Sequence, residues 1–380
     1  MLGIRYVSFL ENSGYGEAGR RNMLALRRLG VRITWTPMVR GRGWGRGFGY
    51  EPFRGESVGD PELDALCNAS IPYDVLLLHL PPEYYPRWAS AAPGKTLVGC
   101  TVWETNKLPR HWPPLLNTTD LLLVPSNWNR EVFRESGVTS PIRVVPHCLP
   151  AELPASQPWS QGVGRSDYVF YTINVWSERK AVRDTIEVYL RTFTEHDQVA
   201  LIVKTSAEDL SHGFVPFGGQ RLLTSRRAAN RILKRHKHSA KVSVITETLS
   251  GESILALHER GNCYVSLCRS EGWGLGAFDA AARGKPVIMT GYGGQREFLP
   301  GDSAYLVDYR LVAVRAGFFY NSYTPDQRWA QADLGHAARL MRGVFEDPDE
   351  GRRRGAALKR HVEARFGAES VARQLLESLS

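Results

Sequence analysis

The sequence predicts an α/β protein of two domains, each a parallel sheet covered by helices. Three observations carry that prediction. Short apolar runs of strand type alternate with helical stretches along the 380 residues, the pattern of parallel strands joined by crossovers. Residues 150–164, rich in Pro, Ser and Gly, interrupt the alternation and mark a domain boundary. Residues 263–288 read as strand, glycine-rich loop, helix and strand, half of a nucleotide-binding unit.

In the first half, residues 4–9 form a strand, 17–29 a helix and 32–36 a second strand, followed by strands at 75–80, 96–101 and 121–124. Ser13-Gly14-Tyr15-Gly16-Glu17-Ala18-Gly19 lies between the first strand and the first helix, where a sharp turn and close backbone approach require glycine, with Gly16 at the expected point of approach. The full dinucleotide fingerprint is not met, because Thr34-Trp35-Thr36-Pro37 offers no acid at the end of the second strand. Residues 40–49, RGRGWGRGFG, are read in two ways: a surface loop, or a loop whose Arg42 and Arg46 meet an anion while Trp44 and Phe48 stack on sugar or base. Ser126, in Val124-Pro125-Ser126-Asn127-Trp128, is a helix N-cap. The second half begins with a strand at 168–173. It continues with a helix at 183–193, a strand at 199–204, a basic helix at 221–237, a strand at 242–245 and a short helix at 251–260. Asp347-Pro348-Asp349 reads as a helix start in preference to a metal-ligand pair.

Composition narrows the class. A hydrophobic content of 43% with 10% aromatic residues suits a globular chain and excludes a low-complexity one. The opening MLGIRYVSFL is too short for a secretory signal, and runs such as 75–78 and 121–124 are too short to span a membrane, so a cytoplasmic protein is expected. Cys67, Cys100, Cys148, Cys263 and Cys268 form no CxxC pair and are odd in number, which argues against a disulfide framework or a zinc site and for buried small hydrophobes. The net charge of +9 favours anionic partners: sugar nucleotides, anionic lipid or nucleic acid. Residues 226–241 carry Arg226, Arg227, Arg231, Lys234, Arg235, Lys237 and Lys241, which either rest on anionic lipid at the inner membrane face or form a solvated face.

The candidate site centres on Ser270-Glu271-Gly272-Trp273-Gly274-Leu275-Gly276-Ala277-Phe278-Asp279, where Asp279 follows Glu271 by eight positions. The glycines let backbone N–H groups approach a ligand, and those at a helix start attract phosphate, while an acid further along can accept hydrogen bonds from ribose hydroxyls. This segment resembles the Glu-x7-Glu motif of retaining GT-B-fold glycosyltransferases, particularly family 4, with Asp279 one methylene shorter than the usual Glu. Gly291-Tyr292-Gly293-Gly294-Gln295-Arg296-Glu297 resembles that family's next substrate loop, and the resemblance is densest over 121–148 and 168–300.

The resemblance implies two Rossmann-like domains facing across a cleft: residues 1–155 on the acceptor side and 165–360 for the nucleotide sugar, with 361–380 a C-terminal helix crossing back to the first domain. It implies transfer of a sugar, with retention, from a nucleotide diphosphate donor to the hydroxyl of a glycan or lipid-linked acceptor, with no cofactor and no metal. In Asn174-Val175-Trp176-Ser177-Glu178-Arg179-Lys180, Lys180 matches the family lysine on the leaving diphosphate. The family arginine lies several residues earlier, at Asn174 to Trp176 here, which leaves Arg179 as the second charge. Glu271 would lie near the transferred sugar, Gly16, Gly274, Leu275 and Gly276 near the diphosphate, and Asp279 at the ribose. Where many members carry a histidine beside the reacting sugar, this chain has Thr101-Val102-Trp103-Glu104-Thr105. Glu104 would then hold or deprotonate a hydroxyl; otherwise it caps the next turn or pairs with Arg110. Tyr15, His79, Trp103, Arg42 and Trp44 are the acceptor-side candidates; His79 is equally readable as a core histidine, and His147 as structural. Two rival readings remain: a transferase acting on modified bases in DNA, and an inactive sugar-nucleotide-binding or scaffold protein.

Overall fold

The computed structural model describes residues 2–41, 49–150, 158–159, 163–211, 224–236, 238–315 and 322–379. The chain divides into two compact units. One comprises Met1–Trp103, Lys107–Glu152 and Ala364–Ser380, the other Glu104–Asn106 and Leu153–Glu363.

The first unit contains β1 (Gly3–Phe9), α1 (Gly14–Arg28), β2 (Arg32–Arg40), β3 (Tyr50–Pro52), α2 (Pro61–Asp64), β4 (Val75–His79), α3 (Tyr85–Ala91), β5 (Thr96–Cys100), α4 (Trp112–Leu116), β6 (Leu121–Val124), α5 (Asn127–Glu135) and β7 (Ile142–Val144). Its seven strands lie in the order β3-β2-β1-β4-β5-β6-β7, parallel except for β3. β4 is buried throughout because a parallel sheet is covered on both faces, which is why Val75-Leu76-Leu77-Leu78 reads as an unbroken apolar run. α1 begins at Gly14, earlier than the expected 17, because the Ser13 hydroxyl accepts from Gly16 N–H at 3.2 Å and caps it there. β2 runs on to Arg40, past the expected 36, because β3 pairs with its end. Ser126 caps α5 by accepting from Asn129 N–H at 3.1 Å.

The second unit contains β8 (Tyr168–Ile173), α6 (Val182–Thr192), β9 (Val199–Lys204), α7 (Ser225–Leu233), β10 (Lys241–Ile245), α8 (Gly251–Arg260), β11 (Cys263–Ser266), α9 (Leu275–Ala282), β12 (Val287–Thr290), β13 (Tyr305–Val307), β14 (Tyr309–Ala313), β15 (Arg328–Ala332) and α10 (Leu334–Glu346). Six parallel strands lie in the order β10-β9-β8-β11-β12-β13, and β14 and β15 form a separate antiparallel hairpin. The core between sheet and helices includes Phe170, Ile186, Tyr189, Leu201, Ile232, Val265, Ile288 and Met341. The basic stretch is not one helix: α7 ends at Leu233 and Lys241 opens β10, while 221–223 and Lys237 lie outside the described residues.

α11 (Pro348–Phe366) carries the chain from residues of the second unit into residues of the first. At its start Asp347 accepts from Glu350 N–H at 2.9 Å, and Asp349 pairs with Arg352. α12 (Ala368–Leu379) then packs on α1, placing Val371, Ala372 and Leu375 in the core with Ile4, Met23, Leu26 and Leu77. All five cysteines are free and buried. No helix among the described residues is long and apolar enough to cross a membrane.

Candidate functional site

In the second unit, the chain leaves β8 for β9 and β10 on one side, then returns to β11 on the other. β8 and β11 therefore flank the point where strand order reverses. The C-terminal ends of strands at such a reversal are the usual ligand position in an open parallel sheet. The loop after β8 carries Arg179 and Lys180; the loop after β11 carries Glu271. Arg269 N–H donates to Arg179 C=O at 2.7 Å and ties the two loops together. Ser177 Oγ accepts from Lys180 N–H at 3.3 Å, and Ala181, with φ of 48°, turns the chain into α6 in a conformation unusual for a non-glycine residue.

These loops assemble a charged cluster. Glu271 Oε1 lies 2.6 Å from Lys180 Nζ and Oε2 lies 3.1 Å from Arg179 Nη1. Arg179 Nη1 also donates to Ser270 C=O at 2.9 Å, and Nη2 lies 3.3 Å from Glu104 Oε1. The Tyr323 hydroxyl donates to Glu104 Oε2 at 3.0 Å. Burial would raise the Glu271 carboxyl, but the charges of Lys180 and Arg179 outweigh it and hold the group below the ordinary carboxylate value. Arg179 shows the complementary effect: burial disfavours its charge, while Glu104 and Glu271 raise its pKa well above the ordinary value. Tyr323 is raised well above its own, first by burial and then by Glu104. Glu104 therefore pairs with Arg179, not with Arg110.

α9 begins beside the cluster. Gly274, with φ of 98°, is its N-cap and supplies no side-chain hydrogen bond to the first N–H groups. A Cβ on Gly276 would lie 2.7 Å from the Tyr264 hydroxyl, so the backbone is pressed onto the end of β11. Beneath it, Asn174 Nδ2 donates to Thr172 Oγ1 at 2.9 Å, Ser266 Oγ at 3.2 Å and the Tyr264 hydroxyl at 3.4 Å. Leu275 and Asp279 are four residues apart on α9, so they share a face, and both are half-buried.

The first unit has its own reversal of strand order between β1 and β4. Tyr15 follows β1, with its hydroxyl 2.9 Å from Thr101 Oγ1 and its ring 5.7 Å from that of His79. His79, at the end of β4, is buried with Nδ1 2.7 Å from the Tyr6 hydroxyl, which also accepts from Asn22 Nδ2 at 3.4 Å. Burial lowers the His79 pKa to about 4, so the ring is neutral near pH 7. His147 is also buried, and its pKa is lowered for the same reason.

Two expected site residues are also held by contacts within the fold. A Cβ on Gly16 would lie 2.0 Å from Glu11 C=O, so the turn's own packing requires a glycine there. Trp103 is buried, donates from Nε1 to Lys107 C=O at 2.8 Å and packs edge-on to Trp112 at 4.7 Å, as a core residue does. Arg42 and Trp44, with Arg46 and Phe48, lie outside the described residues. Sequence reasoning missed Tyr323, which carries no motif and meets Glu104 across 219 positions. It also missed the Asn174, Tyr264 and Ser266 bonds, although alignment of the strand ends of β8 and β11 would have brought these residues together.

No protein-family model and no curated protein matches the chain. Among solved structures it is similar to Anabaena Alr3699/HepE in complex with UDP and glucose, at 13% identity and a TM-score of 0.67 over 100% of this chain and 99% of that one. It is similar to sucrose-phosphate synthase from Thermosynechococcus elongatus, at 14% identity and a TM-score of 0.68 over 99% of this chain and 98% of that one. A mutant of S. aureus TarM in complex with fondaparinux, alpha-GlcNAc-glycerol and UDP matches at 11% identity and a TM-score of 0.59, over 80% of this chain and 55% of that one, so this chain spans about half the length of TarM. At such identities the likeness is one of fold: the chain has the α/β architecture of the GT-B glycosyltransferases, with two Rossmann-like units.

Proposed function

We propose that the chain is a retaining glycosyltransferase that moves a sugar from a nucleoside diphosphate donor to an acceptor hydroxyl, in glycan or polysaccharide assembly, with no cofactor. The observation that carries this reading is the grouping of Lys180, Arg179 and Glu271 with the start of α9, at the reversal of strand order between β8 and β11. Breaking the bond from the anomeric carbon to the phosphate oxygen leaves negative charge on the diphosphate. Preorganised cations and helix N–H groups stabilise that charge most as it forms. Lys180 and Arg179 are placed for this, with Gly274, Leu275 and Gly276 presenting backbone N–H groups. Glu271, held ionised by the two cations, orients them and accepts a hydrogen bond from a hydroxyl of the transferred sugar. Asp279 accepts from the ribose. The acceptor oxygen bonds to the anomeric carbon on the face the diphosphate leaves, and its proton passes to a diphosphate oxygen, so the reaction balances without a carboxylate base.

Since HepE is solved with UDP and with UDP-glucose, uridine nucleotides head the screen. Calorimetry with UDP, GDP, ADP and dTDP, and with their sugars, should show selective binding of one diphosphate. Lys180→Ala and Asp279→Ala should each weaken that binding, and loss of Lys180 should slow transfer or donor hydrolysis by on the order of 10²–10³. Binding of none of the four would sink the proposal. Binding without any turnover would leave the scaffold reading in its place.

A further inference from the structure

Transfer as proposed above requires nothing of Glu104 or Tyr323, yet these two residues complete the surroundings of Arg179. Arg179 Nη1 is engaged by Ser270 C=O at 2.9 Å and Glu271 Oε2 at 3.1 Å; Nη2 faces Glu104 Oε1 at 3.3 Å. The second oxygen of Glu104 accepts the Tyr323 hydroxyl at 3.0 Å. The four charged side chains are each no more than 18% exposed. Among the described residues, two cations therefore face two carboxylates in a shielded cluster, and their charges cancel.

A diphosphate with at least two negative charges must enter this balanced site. Glu271 cannot yield easily: its two oxygens bridge both cations across two loops that Arg269 N–H ties together. Among the described residues, Glu104 touches one cation, Arg179. It belongs to the segment Glu104–Asn106, which is pinned by Asn106 N–H donating to Arg328 C=O at 3.1 Å and Arg328 N–H donating to Asn106 Oδ1 at 2.6 Å. An anionic oxygen opposite a guanidinium nitrogen is the contact that a phosphate oxygen would make.

Building on the donor reading, we propose that Glu104, held by Tyr323, is a stand-in anion on Arg179 that the donor's diphosphate must displace. It thereby limits affinity for the nucleoside diphosphate and speeds release of that product. Glu104 is a positioning residue here, in place of the hydroxyl-holding role expected of it. Removing one negative charge a few ångströms from the incoming diphosphate, in a poorly solvated site, strengthens binding by about tenfold or more.

The test is calorimetric titration of UDP, GDP, ADP and dTDP into the full chain and into Glu104→Gln, Tyr323→Phe and Lys180→Ala. Glu104→Gln keeps the shape and the acceptor for Tyr323, and should tighten the selected diphosphate by about tenfold. Tyr323→Phe, which loosens Glu104 but keeps its charge, should tighten it less. Lys180→Ala should weaken it. A merely structural Glu104 would move binding the other way, with a lowered melting temperature. Unchanged or weaker binding in Glu104→Gln, while Lys180→Ala still weakens it, overturns the stand-in role and leaves the donor site intact. Indifference of binding to Lys180→Ala overturns the donor-site reading itself.

Discussion

Glu271, Arg179 and Lys180 show how a buried charge is tolerated. Each is taken from water, and each is offset by an opposite charge within 3.3 Å, so the cluster stays ionised where an isolated carboxylate would be driven neutral. His79 is the opposite case. Among the described residues none sets an opposite charge beside it, and burial lowers its pKa from the ordinary 6.5 to about 4. As pH falls from 6.5 towards 4, the unfolded chain takes up this proton first, so stability present above pH 6.5 is lost progressively across that window, by about 3 kcal/mol in all. Urea midpoints measured against pH should show the decline, and His79→Gln should flatten it by its share, while His147 keeps its own. The lowered carboxyl of Glu271 acts at lower pH: its contribution is present above pH 4.5 and lost as pH falls further. An unchanged pH profile in His79→Gln would show that the ring is solvated in the folded protein.

α9 owes its position to the way it starts. Gly274 holds φ of 98°, and a Cβ there would also lie 3.3 Å from Met289 Cε. Gly274→Ala should therefore cost about 1–2 kcal/mol in stability. It should also weaken diphosphate binding, because any relaxation turns the leading N–H groups of the helix; melting temperature and titration together check both effects. Retention of full affinity would mean that the α9 terminus does not face the ligand. The glycines of this turn and the Ser126 cap were legible in the sequence, because both depend on local backbone chemistry. Gly16 was legible as a necessary glycine, but its reason was not. The atom that excludes a side chain is Glu11 C=O, and only the folded turn brings it there.

Across the whole molecule, the last helix is the element whose place depends most on distant sequence. α12 closes the first unit through Val371, Ala372 and Leu375 against α1 and the sheet, and Gln374 Nε2 donates to Val144 C=O at 2.9 Å. Leu375→Ala removes a side chain that is 1% exposed and should destabilise the protein by about 2–5 kcal/mol, read as a lowered urea midpoint. A change within about 0.5 kcal/mol, the range of surface substitutions, would show that α12 is not part of that core.

Local patterning was enough for the α/β class, for most of the strands and helices it named to within a few residues, and for Glu271 beside a glycine-rich helix start, whereas Arg179 and Lys180 were expected at the diphosphate from the family resemblance. Periodicity and turn chemistry are short-range properties, written in consecutive residues. Which side chains meet at the site was a matter of strand order. Glu104 finds Arg179 and Tyr323, and His79 is buried against Tyr6, each across separations that no local pattern records. Strand order is set by which long-range packing buries the most apolar surface, and that choice belongs to the folded chain as a whole.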